Sequence, residues 1–232
     1  MRARDKDADE PPGDNPFALA ESMYVQAILQ GNRRAAVTVV TENLRENADV
    51  IDTYVHVLQP AMYEVGRRWE SNQITVAEEH MATAITQFVL SQLYAQLEPS
   101  SVDRGKALVT GVQGELHQVG ANIVADALEA DGWDVRFLGT NTPPSGILEA
   151  LEQHRADLFG ISATMLFNVP AVVALVSQVR ERMGERSPKI LLGGSAFRAA
   201  PHLVDDMSVD GWAGDVRTAI ELARRLTGAA SR

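Results

Sequence analysis

The chain has 232 residues, 45% of them hydrophobic and 22% charged, with a formal net charge of −10 and no cysteine. The length allows one large domain or two small ones. The acidic balance argues against direct binding of nucleic acid, and the lack of cysteine excludes disulfides, thiolate metal sites, cysteine nucleophiles and thioether-linked chromophores.

No apolar run reaches the ~18 residues of a membrane span, and the amino terminus carries no signal-peptide core, so a soluble cytoplasmic protein without membrane contact is expected. Residues 1–16 mix charges with Pro11-Pro12 and Gly13, lack apolar periodicity and predict a disordered tail. From 17 to 98 the spacing predicts a helical bundle. Its helices run from Phe17 to Leu29, from Arg33 to Asn43 and from Ala48 to Trp69, with Pro60 marking a kink or a break. A fourth helix follows, capped by Thr75 with Glu78 at the capping-box position, and extends to about Leu97. Residues 98–105 read as a linker.

From 104 to 232 the pattern changes to α/β. Short apolar runs at Ala107–Val112, Val135–Gly139, Leu158–Ala163 and Ile190–Gly193, with a weak one at Gly211–Ala213, are predicted strands. Helical segments at Val119–Ala130, Ser145–His154, Pro170–Met183, Ala200–Met207 and Val216–Leu226 alternate with them. This alternation predicts a Rossmann-like, flavodoxin-like parallel sheet.

Ligands of such sheets bind at the carboxyl ends of the strands. The loop after the first strand carries Glu115, His117 and Gly120. The loop after the third carries Ser162 and Thr164, and that after the fourth carries Gly193 and Gly194. A neutral imidazole at such a place can ligate a metal, with Glu115 taking its other ring N–H. Gly120 lets the chain pass close to a bulky planar ligand. Taken singly, a loop histidine is more often solvated, the glycine pair a tight turn, and Ser162 and Thr164 strand-end caps. Their joint spacing carries the information.

Glu115-x-His117-x-x-Gly120, then Ser162-x-Thr164, then Gly193-Gly194 resembles the signature of cobalamin-binding Rossmann-like domains, Asp-x-His-x-x-Gly, Ser-x-Leu and Gly-Gly. Glu115 and Thr164 are the departures. The resemblance implies cobalt held base-off, with His117 as lower axial ligand oriented by Glu115. It also implies Ser162 facing the displaced base, and Gly193 and Gly194 making room for the cofactor's tail. In the first half, Trp69 followed after nine residues by Glu79-His80 resembles the helical cap of CarH-type cobalamin photoreceptors. There the tryptophan lies against the upper ligand and the Glu-His pair lines the same pocket. Two departures matter: the sequence carries no helix-turn-helix segment ahead of the cap, and Glu70 stands where those proteins have a histidine.

The resemblance implies a signalling module, a photoreceptor related to transcription regulation. It would hold adenosylcobalamin between cap and sheet and act through a homo-oligomer or a separate protein effector, with no enzymatic activity of its own. The alternative is a corrinoid methyl carrier of a methyltransferase system, binding methylcobalamin. A further alternative is a related pocket for another tetrapyrrole, haem or a bilin. His56 is expected in core or at surface, His154 as a helix-end cation and His202 at the start of a short helix.

Overall fold

The computed structural model describes residues 15–45, 49–97 and 100–228. The expected disordered tail therefore lies outside the described residues as far as position 14, as do Ala48 and linker residues Glu98 and Pro99. The chain divides into two compact units, Met1–Val89 and Leu90–Arg232.

The first unit is helical: α1 (Ala18–Leu29), α2 (Arg33–Arg45), α3 (Val50–Thr53), α4 (Gln59–Glu70) and most of α5 (Val76–Tyr94). Tyr24, Ile28, Tyr54, Leu58 and Val65 are fully buried in it. The Tyr24 hydroxyl donates to Thr86 Oγ1 at 3.1 Å, which satisfies the one polar atom this ring takes into the core. Burial pushes that hydroxyl's pKa upward. Between α3 and α4, Tyr54–Leu58 form a turn of π-helix immediately before Pro60. Proline has no N–H for the carbonyl four residues back, and the widened turn absorbs the mismatch, resolving the expected kink or break. Asp49 caps α3 by accepting the Asp52 N–H at 2.6 Å. The capping box of α5 forms reciprocally: Glu78 N–H donates to Thr75 Oγ1 at 3.2 Å, and Thr75 N–H donates to Glu78 Oε2 at 2.7 Å. His56 stacks on Phe17 with ring centroids 4.7 Å apart.

The second unit is a five-stranded parallel sheet in the order β2-β1-β3-β4-β5. The strands are β1 (Lys106–Gly111), β2 (Asp134–Phe137), β3 (Leu158–Ser162), β4 (Lys189–Gly193) and β5 (Gly211–Ala213). Helices α6 (Val119–Ala130) and α10 (Val216–Thr227) cover one face. Helices α7 (Pro144–His154) and α8 (Val169–Met183) cover the other. The alternation of side chains sorts each strand between the two cores. Leu108, Phe159, Ile161, Ile190 and Leu192 face α7 and α8, while Ala107, Val109, Leu158, Leu191 and Ala213 face α6 and α10.

Two sequence expectations need correction. The helix placed at Ala200–Met207 is instead α9 (Ser195–Ala199) followed by a 3₁₀ turn at Pro201–Val204. Gly194, at φ +102, turns the chain straight from β4 into a helix, and Pro201 ends that helix. His202 lies exposed in the 3₁₀ turn. His154 closes α7 as expected, but as a buried side chain: it is 2% exposed, and its Nε2 donates to the Asp134 carbonyl at 2.9 Å, fastening α7 to the start of β2.

Thr75→Ala removes one half of the capping box and is expected to lower unfolding free energy by about 1 kcal/mol in urea titration, with Thr75→Ser restoring most of it.

Candidate functional site

The carboxyl ends of β1, β3 and β4 bring the sequence-predicted residues of the second unit together, and Glu115 is their hub. Its side chain is fully buried, yet it takes five hydrogen bonds. Oε1 accepts the His117 backbone N–H at 2.9 Å and faces His117 Nδ1 at 2.5 Å. Oε2 accepts the Thr164 N–H at 2.8 Å, the Met165 N–H at 3.4 Å and Asn168 Nδ2 at 2.9 Å. One carboxylate thus fastens the β1–α6 loop to the β3–α8 loop.

Burial alone would raise this carboxyl's pKa. The hydrogen bonds from His117, Thr164 and Asn168 outweigh it and pull the value down to about 2. In the neutral ring, an ionised acceptor at Nδ1 favours the tautomer with the proton on that nitrogen and the lone pair on Nε2. The His117 side chain is 41% exposed, so the imidazole is fixed at one edge and reachable at the other.

Beside this hub the sheet carries its smallest side chains. In register across the strand ends lie Gly111 on β1, Ser162 on β3, Gly193 on β4 and Ala213 on β5. Ser162 thus has glycine on both neighbouring strands. An added Cβ at Gly193 would come no nearer than 3.7 Å to any atom, and one at Gly120, in the first turn of α6, would meet nothing within 4 Å. The helices over this face also present alanines, Ala121 and Ala125 of α6 with Ala219 and Ala223 of α10. Gly194 differs: its Cβ would lie 2.2 Å from the Ala163 carbonyl oxygen, so its role is to make the turn. Thr164 reaches Glu115 through its backbone N–H.

Asn168 is a site residue that sequence reasoning missed. It is buried, and it lies 53 positions from the carboxylate it binds, a contact no local pattern announces. The remaining sequence-predicted residues belong to the first unit. Trp69 is half-buried near the end of α4 and Glu70 is exposed. Glu79 Oε2 faces His80 Nδ1 at 2.6 Å, Glu79 Oε1 accepts the Thr83 hydroxyl at 2.8 Å, and the His80 side chain is 75% exposed.

The second unit thus places a carboxylate-backed imidazole at its strand ends, beside a line of minimal side chains. Among the described residues no three His, Asp or Glu side chains converge to hold a metal ion. The chain belongs to the B12-binding domain family: B12 binding domain profiles match residues 105–223 and 20–94. Its cofactor is cobalamin.

The chain is 25% identical over 207 residues to a corrinoid protein of Desulfitobacterium hafniense, covering 88% of this chain and 95% of that one. It is 25% identical over 196 residues to dimethylamine corrinoid protein 1 of Methanosarcina acetivorans, covering 84% and 91%. The solved monomethylamine corrinoid protein of Methanosarcina barkeri shares the fold, with a TM-score of 0.81 at 20% identity over 90% of this chain and 99% of that one. These names describe corrinoid proteins, the alternative among the sequence expectations, and not photoreceptors. No helix among the described residues is long and apolar enough to cross a membrane.

The Glu115 pKa is lower in the folded state than in the unfolded chain. Its contribution to stability is therefore complete above about pH 4.5 and is lost as pH falls toward about 2. Urea titration of the cobalamin-free protein should show Glu115→Gln less stable than wild type by roughly 3 kcal/mol at pH 7, with the gap closing at pH 3 and below. A gap independent of pH contradicts the hydrogen-bonded carboxylate.

Gly194→Ala should cost roughly 3 kcal/mol or more by clash and strain. Gly193→Ala should leave the melting point of the cobalamin-free protein unchanged while weakening cobalamin uptake, read by absorbance titration.

Proposed function

We propose that this chain acts as a corrinoid carrier, which presents cobalamin to separate methyltransferase partners and has no catalytic activity by itself. The observation that carries the reading is the similarity to the corrinoid proteins named above, 95% and 91% of whose own lengths are matched. A site built to hold a macrocycle at its lower face accompanies it. Bound cobalamin supplies a cobalt centre that accepts and releases an alkyl group. The chain's residues hold and orient it.

His117 would hold the cobalt through Nε2, since Nδ1 is hydrogen-bonded to Glu115. An imidazole with a fully ionised carboxylate behind it is a stronger donor than an isolated one and cannot rotate away cheaply. Asn168 and the Thr164 N–H keep that carboxylate in place. Ser162, flanked by Gly111 and Gly193, offers a hydroxyl to the displaced nucleotide base, and Gly120, Gly193 and the facing alanines leave room for the tail. Partners are separate proteins, and a homo-oligomer is compatible with this use.

A second reading, a light-responsive module holding adenosylcobalamin, is favoured by the Trp69, Glu79 and His80 arrangement. Glu79 accepts the Thr83 hydroxyl on one oxygen and faces His80 Nδ1 with the other.

The purified protein should take up one cobalamin and show a corrinoid spectrum, not that of haem or a bilin. Loaded with methylcobalamin in the dark, it should pass its methyl group to a thiol or tetrahydrofolate when a methyltransferase partner is added, and His117→Ala should slow this at least tenfold. No transfer with any such partner, together with a change of spectrum and elution volume under green light after loading with adenosylcobalamin, replaces the carrier by the sensor.

A further inference from the structure

The β2–α7 loop contains a group of contacts that the carrier reading does not use. Three consecutive residues, Gly139, Thr140 and Asn141, all press on the segment that leads to His117. The Gly139 carbonyl accepts the Gly111 N–H at 3.0 Å and the Thr110 hydroxyl at 3.0 Å. The Thr140 methyl carbon occupies the space where a Cβ on Gly111 would lie, 2.7 Å from that position. Asn141 Oδ1 accepts the Gly114 N–H at 2.9 Å. Asn141 itself sits at φ +56, a left-handed conformation that asparagine tolerates better than most residues.

Gly114 is the residue before Glu115. It adopts φ +90, and an added Cβ would stand 3.3 Å from Asn168 Oδ1. Without a side chain of its own, Gly114 is the most deformable link between β1 and the imidazole. Its N–H lies in an exposed turn, so the Asn141 acceptor is the contact that chooses one peptide orientation there.

We propose that Asn141 is a positioning residue for the lower ligand: by holding the Gly114 N–H it sets the path of the 114–117 segment and so the direction in which His117 presents Nε2. This rests on the reading of His117 as the cobalt ligand. Glu115 fixes the imidazole against the β3–α8 loop from one side, and Asn141 fixes the backbone against the β2–α7 loop from the other. Loss of the acceptor leaves the fold and the Glu115 bonds intact but lets Gly114 rotate, so a fraction of molecules no longer aims the ring at the metal.

The test uses the full chain grown with ¹⁵N-histidine, loaded with cob(II)alamin and read by electron paramagnetic resonance. A histidine nitrogen on cobalt splits each cobalt line into a doublet, whereas the cofactor's own benzimidazole nitrogen gives a triplet. Wild type should give the doublet. Asn141→Gly keeps the left-handed backbone accessible and removes only the acceptor. It should show a substantial share without the doublet and bind cobalamin ~fivefold more weakly, the scale of one net hydrogen bond. Asn141→Asp keeps a carboxylate oxygen at the same place and should restore the doublet.

All three proteins should melt at the same temperature without cobalamin. An Asn141→Gly spectrum and affinity equal to wild type overturns the proposal while leaving His117 as ligand. So does an Asn141→Asp protein as impaired as the glycine variant. A wild type without the doublet removes the His117 reading itself, and this proposal with it.

Discussion

A fully buried carboxylate with five hydrogen bonds is the interaction on which the second unit's site depends. Moving an ionised carboxylate out of water is costly unless its lone pairs are satisfied. Glu115 meets that condition only when the β1–α6 and β3–α8 loops are both in place, because Oε1 bonds to one and Oε2 to the other. The cost of leaving it half-satisfied makes the two loops a single unit. His117 inherits that rigidity: its ring and its own N–H are both tied to the same oxygen of a buried charge.

The sheet supplies the complementary feature. Five parallel strands place one register line, Gly111, Ser162, Gly193 and Ala213, at the edge where the loops begin. The large aliphatic residues that fill the α7 and α8 side are absent from this line, and the helices over it answer with alanines. Both faces carry a core, and only this register line at the strand ends is kept to minimal side chains. The two glycines of Gly193-Gly194 divide the labour: one keeps the floor open, and the other makes a turn that a Cβ would block.

Much of this was legible in the sequence. Hydrophobic runs located all five strands to within a residue or two, and the Thr75 and Glu78 capping pair and the irregularity at Pro60 follow from local chemistry. Glu115 and His117 were legible because they share one loop. Asn168 and Asn141 were not, because each acts on a residue 53 or 27 positions away, and asparagine in a loop has many commoner uses. The helix after β4 begins earlier than apolar spacing alone predicts, because the positive φ of Gly194 starts it at once. The position of His154 at a helix end is legible, but its burial against β2 is not, because the contact is 20 positions away. The Trp69, Glu79 and His80 spacing describes the first unit's local order, and function drawn from it alone pointed to light, whereas similarity over the whole chain points to corrinoid carriers.

The most direct test is a crystal structure of the cobalamin-loaded protein. The account predicts cobalt bonded to His117 Nε2, with Nδ1 still on Glu115 Oε1 and Asn168 still on Oε2, and with the cofactor's tail against Ser162 and Gly193. A structure in which the benzimidazole keeps its place on cobalt, or in which His117 is turned from the metal while Glu115 retains its bonds to Thr164 and Asn168, would contradict it.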